Sequence, residues 1–365
     1  IWLVIVKANI YHSSNLTIPM IGMLIILVKN LNYINKIPKP ILVFAAIHIS
    51  YFVIFEIGDF QSLKYLLARV TYLFFFSIMI YKMDYSSVLR IFKANAIICI
   101  IFLVLSVFVN KSISPGRYSG IFLNANELGA ISCYVVAIFS LPIFKNDRFR
   151  IIVLLLSISM ILLSGSRIAF GSLAIILIFN FRSLLKNSLL VALLSIPFSS
   201  IIYLTVSRIL SGNIFSGRLL NWVVTWDQIL NRIYLGYGLK SYEGITDDSV
   251  YEEGAKWAMA GAHSGYLTYF LMFGIPIGLI VILVLYYPLI LSLFSKKPKP
   301  LGDLYKCIQI ITAIWLFYSI VETTFTGVND YEVILYFSSW ILLCSYWSGN
   351  MNQKAINYHT KYYTR

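Results

Sequence analysis

Long apolar runs and short polar connections alternate along nearly the whole chain. Runs such as "NAIICIIFLVLSVFV" and "GIPIGLIVILVLYYPLILSLF" recur from one end to the other, and a bilayer span takes about 20 mostly apolar residues. The pattern predicts helical spans over residues 1–11, 16–29, 41–57, 62–81, 89–109, 127–144, 150–164, 167–180 and 187–206. After a long polar interruption it predicts three more, over 264–294, 304–325 and 332–348. The first segment, "IWLVIVKANIY", is too short to span alone and is expected to be the truncated end of a longer helix. The organisation is therefore about nine helices in residues 1–206, a loop over 207–262, three helices in 263–348 and a tail over 349–365.

The connections alternate in charge. Basic ones, "KNLNYINKIPKP", "YKMDYSSVLR", "FKNDRFR", "FRSLLKN", "SKKPKPLGDLYK" and the tail, take turns with "HSSN", "IGDFQS", "NKSISPGRYSGIFLNANE", "SGSR", 207–262 and "TGVNDYE". Basic connections stay cytoplasmic, so the second set, with the large loop, is expected outside and both chain ends inside. The expected fold is an all-α polytopic membrane protein with about 12 transmembrane helices and one large external loop.

Composition sharpens this. The chain is 59% hydrophobic and 12% charged, about half the charge of a soluble domain, which excludes an ordinary soluble enzyme. The +14 net charge is spread over the predicted cytoplasmic connections, so it reads as an orientation signal and not as a nucleic-acid surface. Cys99, Cys133, Cys307 and Cys344 stand singly in apolar runs, and the four histidines are scattered. No spacing there suits a disulfide framework or a metal site. No internal repeat is visible.

Basic residues on the predicted outer side run against the topological bias. Arg117 lies in "SPGRYSGIFLNANELG", Arg167 in "LLSGSRIAFG" and Arg218 in "SGRLLNWVVTWDQIL". One such arginine could simply meet lipid headgroups. Three beside Gly-, Ser- and Asn-rich turns point to an anion, because guanidinium pairs two oxygens at once and keeps its charge when partly dehydrated. Helices starting near Asn126, Arg167 and His263 all turn their N-termini outward, and such ends favour anions. Asn126 and Ser164 or Ser166 are the expected caps. A diphosphate is the simplest ligand for this set.

In "GRLLNWVVTWDQIL", Leu219, Trp222, Val223, Trp226 and Leu230 recur at helical spacing, with Asn221, Thr225, Asp227 and Gln228 opposite. This predicts an amphipathic interfacial helix with tryptophan anchors. "LGYGLKSY" resembles a potassium-channel filter only in its GYG; the pore helix such a filter requires is absent, and its glycines read as a turn. Arg69, about 10–14 Å along its helix, and Glu322, near a helix end, are intramembrane charges. Such charges are paired or functional. For Arg69, a carboxylate pair and a substrate role stay open.

"GRYSGIFLNANELG", "LLSGSRIAFG", "SGRLLNWVVTWDQILNRIYLGYGLKSYE" and "AHSGYLTYFLMFG", in that order over residues 115–275, resemble the O-antigen polymerase/ligase superfamily of membrane glycosyltransferases. Ala125 stands where many relatives have proline. The resemblance implies a GT-C-like fold in a bacterial inner membrane and a donor glycan carried on undecaprenyl diphosphate. It implies inverting transfer on the outer face without cofactor or metal, and a chain-length regulator as protein partner. By motif, Arg167, Arg218 and His263 match the catalytic positions. Arg117 and Asn126, with Arg69, Glu322 and Trp222, are the substrate-binding candidates. His263, opening an apolar run, would take or orient the acceptor's hydroxyl proton. An interfacial hydrogen-bonding histidine is the plainer alternative. Polymerisation of a surface polysaccharide is the leading activity; ligation to lipid A–core and transport of a lipid-linked oligosaccharide are its rivals. A transporter would place polar groups near the midplane, often in repeated halves. Here they crowd one side.

Overall fold

The computed structural model describes residues 17–109, 112–114, 117–122, 124–141, 143–144, 146–184, 218–243, 262–294, 302–323 and 331–347. The spans expected at 1–11 and 187–206, the tail and much of the 207–262 loop lie outside them. Among the described residues the protein is helical apart from one short β-ribbon.

The α-helices are α1 Thr17–Val28, α2 Lys39–Phe55, α3 Phe60–Lys82, α4 Tyr85–Val107, α5 Ala125–Phe139, α6 Asp147–Ser164 and α7 Arg167–Leu184. They continue with α8 Arg218–Asn231, α9 Gly265–Phe294, α10 Gly302–Tyr318 and α11 Tyr331–Trp347. Strands β1 Ser112–Ser114 and β2 Arg117–Tyr118 pair antiparallel between α4 and α5. Among the described residues α3, α4 and α9 are long and apolar enough to cross a membrane, and α2, α5, α7 and α11 contribute shorter apolar stretches.

Burial has the pattern expected of a helix bundle in lipid. α5 is buried along almost its whole length and forms the centre of the bundle. By contrast α4 exposes Ile97, Ile101, Leu105 and Val107, and α9 exposes Leu279, Leu283, Ile290 and Phe294. Apolar faces this extensive are tolerated in lipid but rare on soluble monomers. Inside, hydroxyls turn back onto their own helix: Ser77 donates to Leu73 O at 2.6 Å, Ser132 to Leu128 O at 2.7 Å and Ser157 to Val153 O at 2.8 Å. Without water, the i−4 carbonyl is the nearest acceptor.

The predicted span 264–294 is one helix with a break. Gly274 has φ 74 and ψ 170 inside α9, and Pro276 follows. Met272 O would ordinarily accept from residue 276, which as proline has no N–H. The freed groups pair with the segment after α8 instead. Tyr237 N donates to Leu271 O at 2.7 Å, Gly238 N to Met272 O at 2.9 Å, and Ile275 N to Ile233 O at 2.8 Å. Gly236 (φ 64) permits the approach, since a Cβ there would stand 2.5 Å from Gly274 N. The glycines of "LGYGLKSY" thus form a turn that also completes the backbone pairing of α9.

Candidate active site at the helix ends

The ribbon brings Arg117 to the start of α5. Tyr118 closes it, donating its hydroxyl to Val109 O at 2.6 Å and to Ser106 O. Arg117 Nη2 then donates to Asn126 Oδ1 at 2.6 Å, and Arg117 Nε to Ser164 O at 3.3 Å. Asn126 Nδ2 donates in turn to Glu322 Oε1 at 2.7 Å. One chain of hydrogen bonds therefore joins the ribbon, the start of α5, the end of α6 and the turn after α10.

Asn126 is not the cap of α5, contrary to expectation. Asn124 is, accepting from Asn126 N at 2.7 Å and Glu127 N at 3.0 Å. Asn124 Nδ2 also donates to Glu127 Oε1 at 3.3 Å. The spacing of Asn124 and Glu127 in "NANE" is a capping signature that was there to be read. With the cap filled by Asn124, Asn126 points its amide at Arg117 and Glu322.

α6 ends in "SGS" because Gly165 takes the left-handed conformation (φ 56, ψ 23) that closes a helix. Two residues on, α7 begins at Arg167, which is exposed. Ser166 takes the cap position: its carbonyl accepts from Phe170 N at 3.1 Å. Its Oγ is buried and has no hydrogen-bond partner among the described residues. Buried hydroxyls are ordinarily hydrogen-bonded, so this one stands out. Composition alone gave no sign that it was unsatisfied.

His263 sits immediately before α9, half-buried between buried Ala262 and Ser264. Its φ of 43 is left-handed, a conformation costing an L-residue roughly 1–2 kcal/mol. Such outliers persist where the surroundings over-determine them. Here Ser264 caps α9, accepting from Leu267 N at 3.4 Å, while Gly265 N donates to Ser319 O at 2.8 Å and Glu322 O at 3.0 Å. The start of α9, two residues after His263, is thus held against the same turn whose carboxylate meets Asn126. Tyr318 closes the set, donating its hydroxyl to Asn126 O at 3.3 Å.

Arg218 is the first residue of α8; its side chain lies outside the described part. Along α8, Asn221, Thr225 and Ile229 are buried, whereas Val223, Trp226 and Leu230 are exposed and Trp222 is half-buried. The polar positions Asn221 and Thr225, expected to face away from the apolar surroundings, are instead buried, and α8 packs on α9. Arg69 falls on the buried stripe of α3 with Tyr65, Leu66 and Tyr72. Its Nη2 donates to the Tyr65 hydroxyl at 3.1 Å, and its guanidinium lies 4.9 Å from the Phe337 ring centroid. Those contacts tie α3 to α11 and are not shared with Arg117, Asn126 or Glu322. Among the described residues no group of three or more His, Cys, Asp or Glu stands together as a metal site.

No curated protein and no solved structure matches the chain. A family match covers Arg167, Arg218 and His263 and leaves out Arg69, Arg117, Asn126 and Glu322. Residues 151–283, from within α6 into α9, match the family described as O-antigen ligase, which supports the resemblance to the O-antigen polymerase/ligase superfamily.

Proposed function

We propose that this chain polymerises a bacterial surface polysaccharide. It transfers a growing glycan from undecaprenyl diphosphate to a hydroxyl of a new lipid-linked repeat, on the outer face of the cytoplasmic membrane. The proposed frame is GT-C-like, with about 12 spans and both ends inside. The observation that carries the reading is the hydrogen-bonded chain Arg117–Asn126–Glu322. It gathers the starts of α5 and α9 beside the Ser166–Arg167 turn of α7. Three positive helix ends and two arginines in one place suit a diphosphate.

In the proposed reaction the acceptor oxygen attacks the anomeric carbon from the side opposite the diphosphate. The new C–O bond forms as the bond to the diphosphate oxygen breaks, so configuration inverts. The leaving group departs with the electron pair as undecaprenyl diphosphate. Arg167 and Arg218 stabilise its developing charge, and His263 orients the acceptor hydroxyl or takes its proton. The outward apolar residues of α8 seat that helix in the lipid interface.

Ligation to lipid A–core is the second reading, favoured by the description of the matching family. Purified protein given synthetic lipid-linked repeats separates the two. Polymer from repeats alone supports the proposal; product only when lipid A–core is added refutes it in favour of ligation. Arg167→Ala and Arg218→Ala are expected to abolish either product while leaving expression and insertion intact. Lysine is expected to rescue poorly, as a point charge without the bidentate fork.

A further inference from the structure

The segment that pairs with the break in α9 is held from its other side by the turn between α2 and α3. Leu239 N donates to both oxygens of Glu56, at 3.0 Å and 2.9 Å, and the Ser62 hydroxyl donates to Oε1 at 3.0 Å. Lys240 Nζ meets Asp59 Oδ2 at 3.0 Å. The Tyr51 hydroxyl donates to Leu235 O. Gly238 has φ 96, and a Cβ there would collide with Glu56 Oε1. The carboxylate therefore fits a space that only glycine leaves.

In the chain this segment lies between Arg218, at the start of α8, and His263, at the start of α9. We propose that Glu56 is a positioning residue: it clasps residues 232–241 against the α9 break and so fixes α8, with Arg218, relative to the end that carries His263. Two contacts of different kinds define the clasp. Backbone pairing at Leu271, Met272 and Ile275 sets the register of the segment on α9. The Glu56 carboxylate stops it lifting off, because ionised acceptors make stronger hydrogen bonds than neutral ones. Burial raises the Glu56 carboxyl above its ordinary range against the pull of the Leu239 and Ser62 bonds. Lys240 lowers Asp59 below its own. Lys240 thus pairs with Asp59, and Glu56 keeps its oxygens for the Leu239 N–H and the Ser62 hydroxyl.

The inference rests on the proposed glycosyl transfer for its kinetic consequence, but the clasp can be measured without it. Hydrogen exchange on the full-length protein in nanodiscs, read on peptides covering 235–241, compares wild type, Glu56→Gln and Glu56→Ala. Alanine is expected to speed exchange at residues 237–239 about tenfold or more, the loss of a charged hydrogen-bond acceptor. Glutamine is expected to be intermediate, since its amide oxygen retains one acceptor. With lipid-linked repeats, Glu56→Ala is expected to lower kcat about 10- to 100-fold, the scale of an ångström-level misplacement. Donor KM is expected to stay within about twofold, and Glu56→Gln to recover part of the rate. Unchanged exchange in Glu56→Ala overturns the clasp. Faster exchange with wild-type kcat, or a rise in KM alone, overturns the positioning role. If wild type transfers no glycan, the functional reading fails and the positioning role falls with it, while exchange still decides the clasp.

Discussion

Gly129→Ala separates local propensity from the packing that places Arg167. Inside a helix, alanine is favoured over glycine by about 0.5–1 kcal/mol, so local propensity alone predicts a gain. The tertiary structure predicts the opposite. A Cβ at 129 would stand 2.8 Å from Ala169 Cβ, 3.1 Å from Ser166 Cβ and 3.3 Å from Ser164 Oγ. Carbon atoms prefer about 3.5–4.0 Å, so α5 and the first turn of α7 must part by roughly 0.7 Å. Overpacking of this kind costs about 1–3 kcal/mol, which leaves a net loss of about 0–2.5 kcal/mol after the propensity gain. The larger effect falls on chemistry. Arg167 directly follows Ser166, and an ångström of displacement at a reacting site can cost about 100-fold; the expected loss of turnover is about 10- to 100-fold. Gly22→Ala is the control, since no described residue lies within 4 Å of a Cβ there. It is expected to keep full turnover and gain a little stability. The assay is polymer formation per mole of folded protein, with thermal unfolding in detergent measured alongside. Wild-type turnover in Gly129→Ala, or an equal loss in Gly22→Ala, would refute the reasoning.

Three further predictions follow from the same geometry. His263→Ala is expected to slow transfer about 10²–10⁴-fold with donor affinity little changed; near-normal turnover would reduce His263 to a boundary residue, and a wild-type rate in His263→Gln would remove the base role. Single cysteines placed in residues 240–255 are expected to react with an impermeant thiol reagent from outside, and those at 296–300 only after permeabilisation; the reverse pattern would invert the proposed orientation. Hydrogen bonds from Ser86 and Ser87 hold the Asp84 carboxyl down at about 2, so its contribution to the start of α4 is present above its unfolded pKa of about 4. That contribution is lost as pH falls through about 2. Faster amide exchange at Ser87 over that window in wild type, absent in Asp84→Asn, is the expected result.

The described helices were legible because suitability for lipid writes itself in composition. A span must be apolar along its length, since nothing in hydrocarbon solvates a polar side chain or an open backbone group. The helix boundaries at 60, 167 and 265 accordingly fall within a few residues of those predicted from the pattern. The break at Gly274 was less visible, because one glycine and one proline in an apolar run are compatible with a straight or a kinked helix. What decides is whether another segment supplies the missing partners. The same limit hid the inward face of α8: its periodicity shows two faces, but lipid and protein both accept the apolar one.

By itself, the sequence determined a helical, lipid-suited chain, the places where polar motifs interrupt it, and the resemblance in Arg167, Arg218 and His263. Those are properties of residue type and order along the chain, and they survive without knowledge of contacts. Only the tertiary structure decided that Asn124 caps α5, freeing Asn126 to hold Arg117 and to reach Glu322, 196 residues further along the chain. It also decided that Arg69 packs against Tyr65 and Phe337, and that Glu56 reaches Leu239 across 183 residues. Hydrogen bonds are short and directional, so a partner's identity depends on which helix ends packing brings within about 3 Å. No one-dimensional pattern carries that distance.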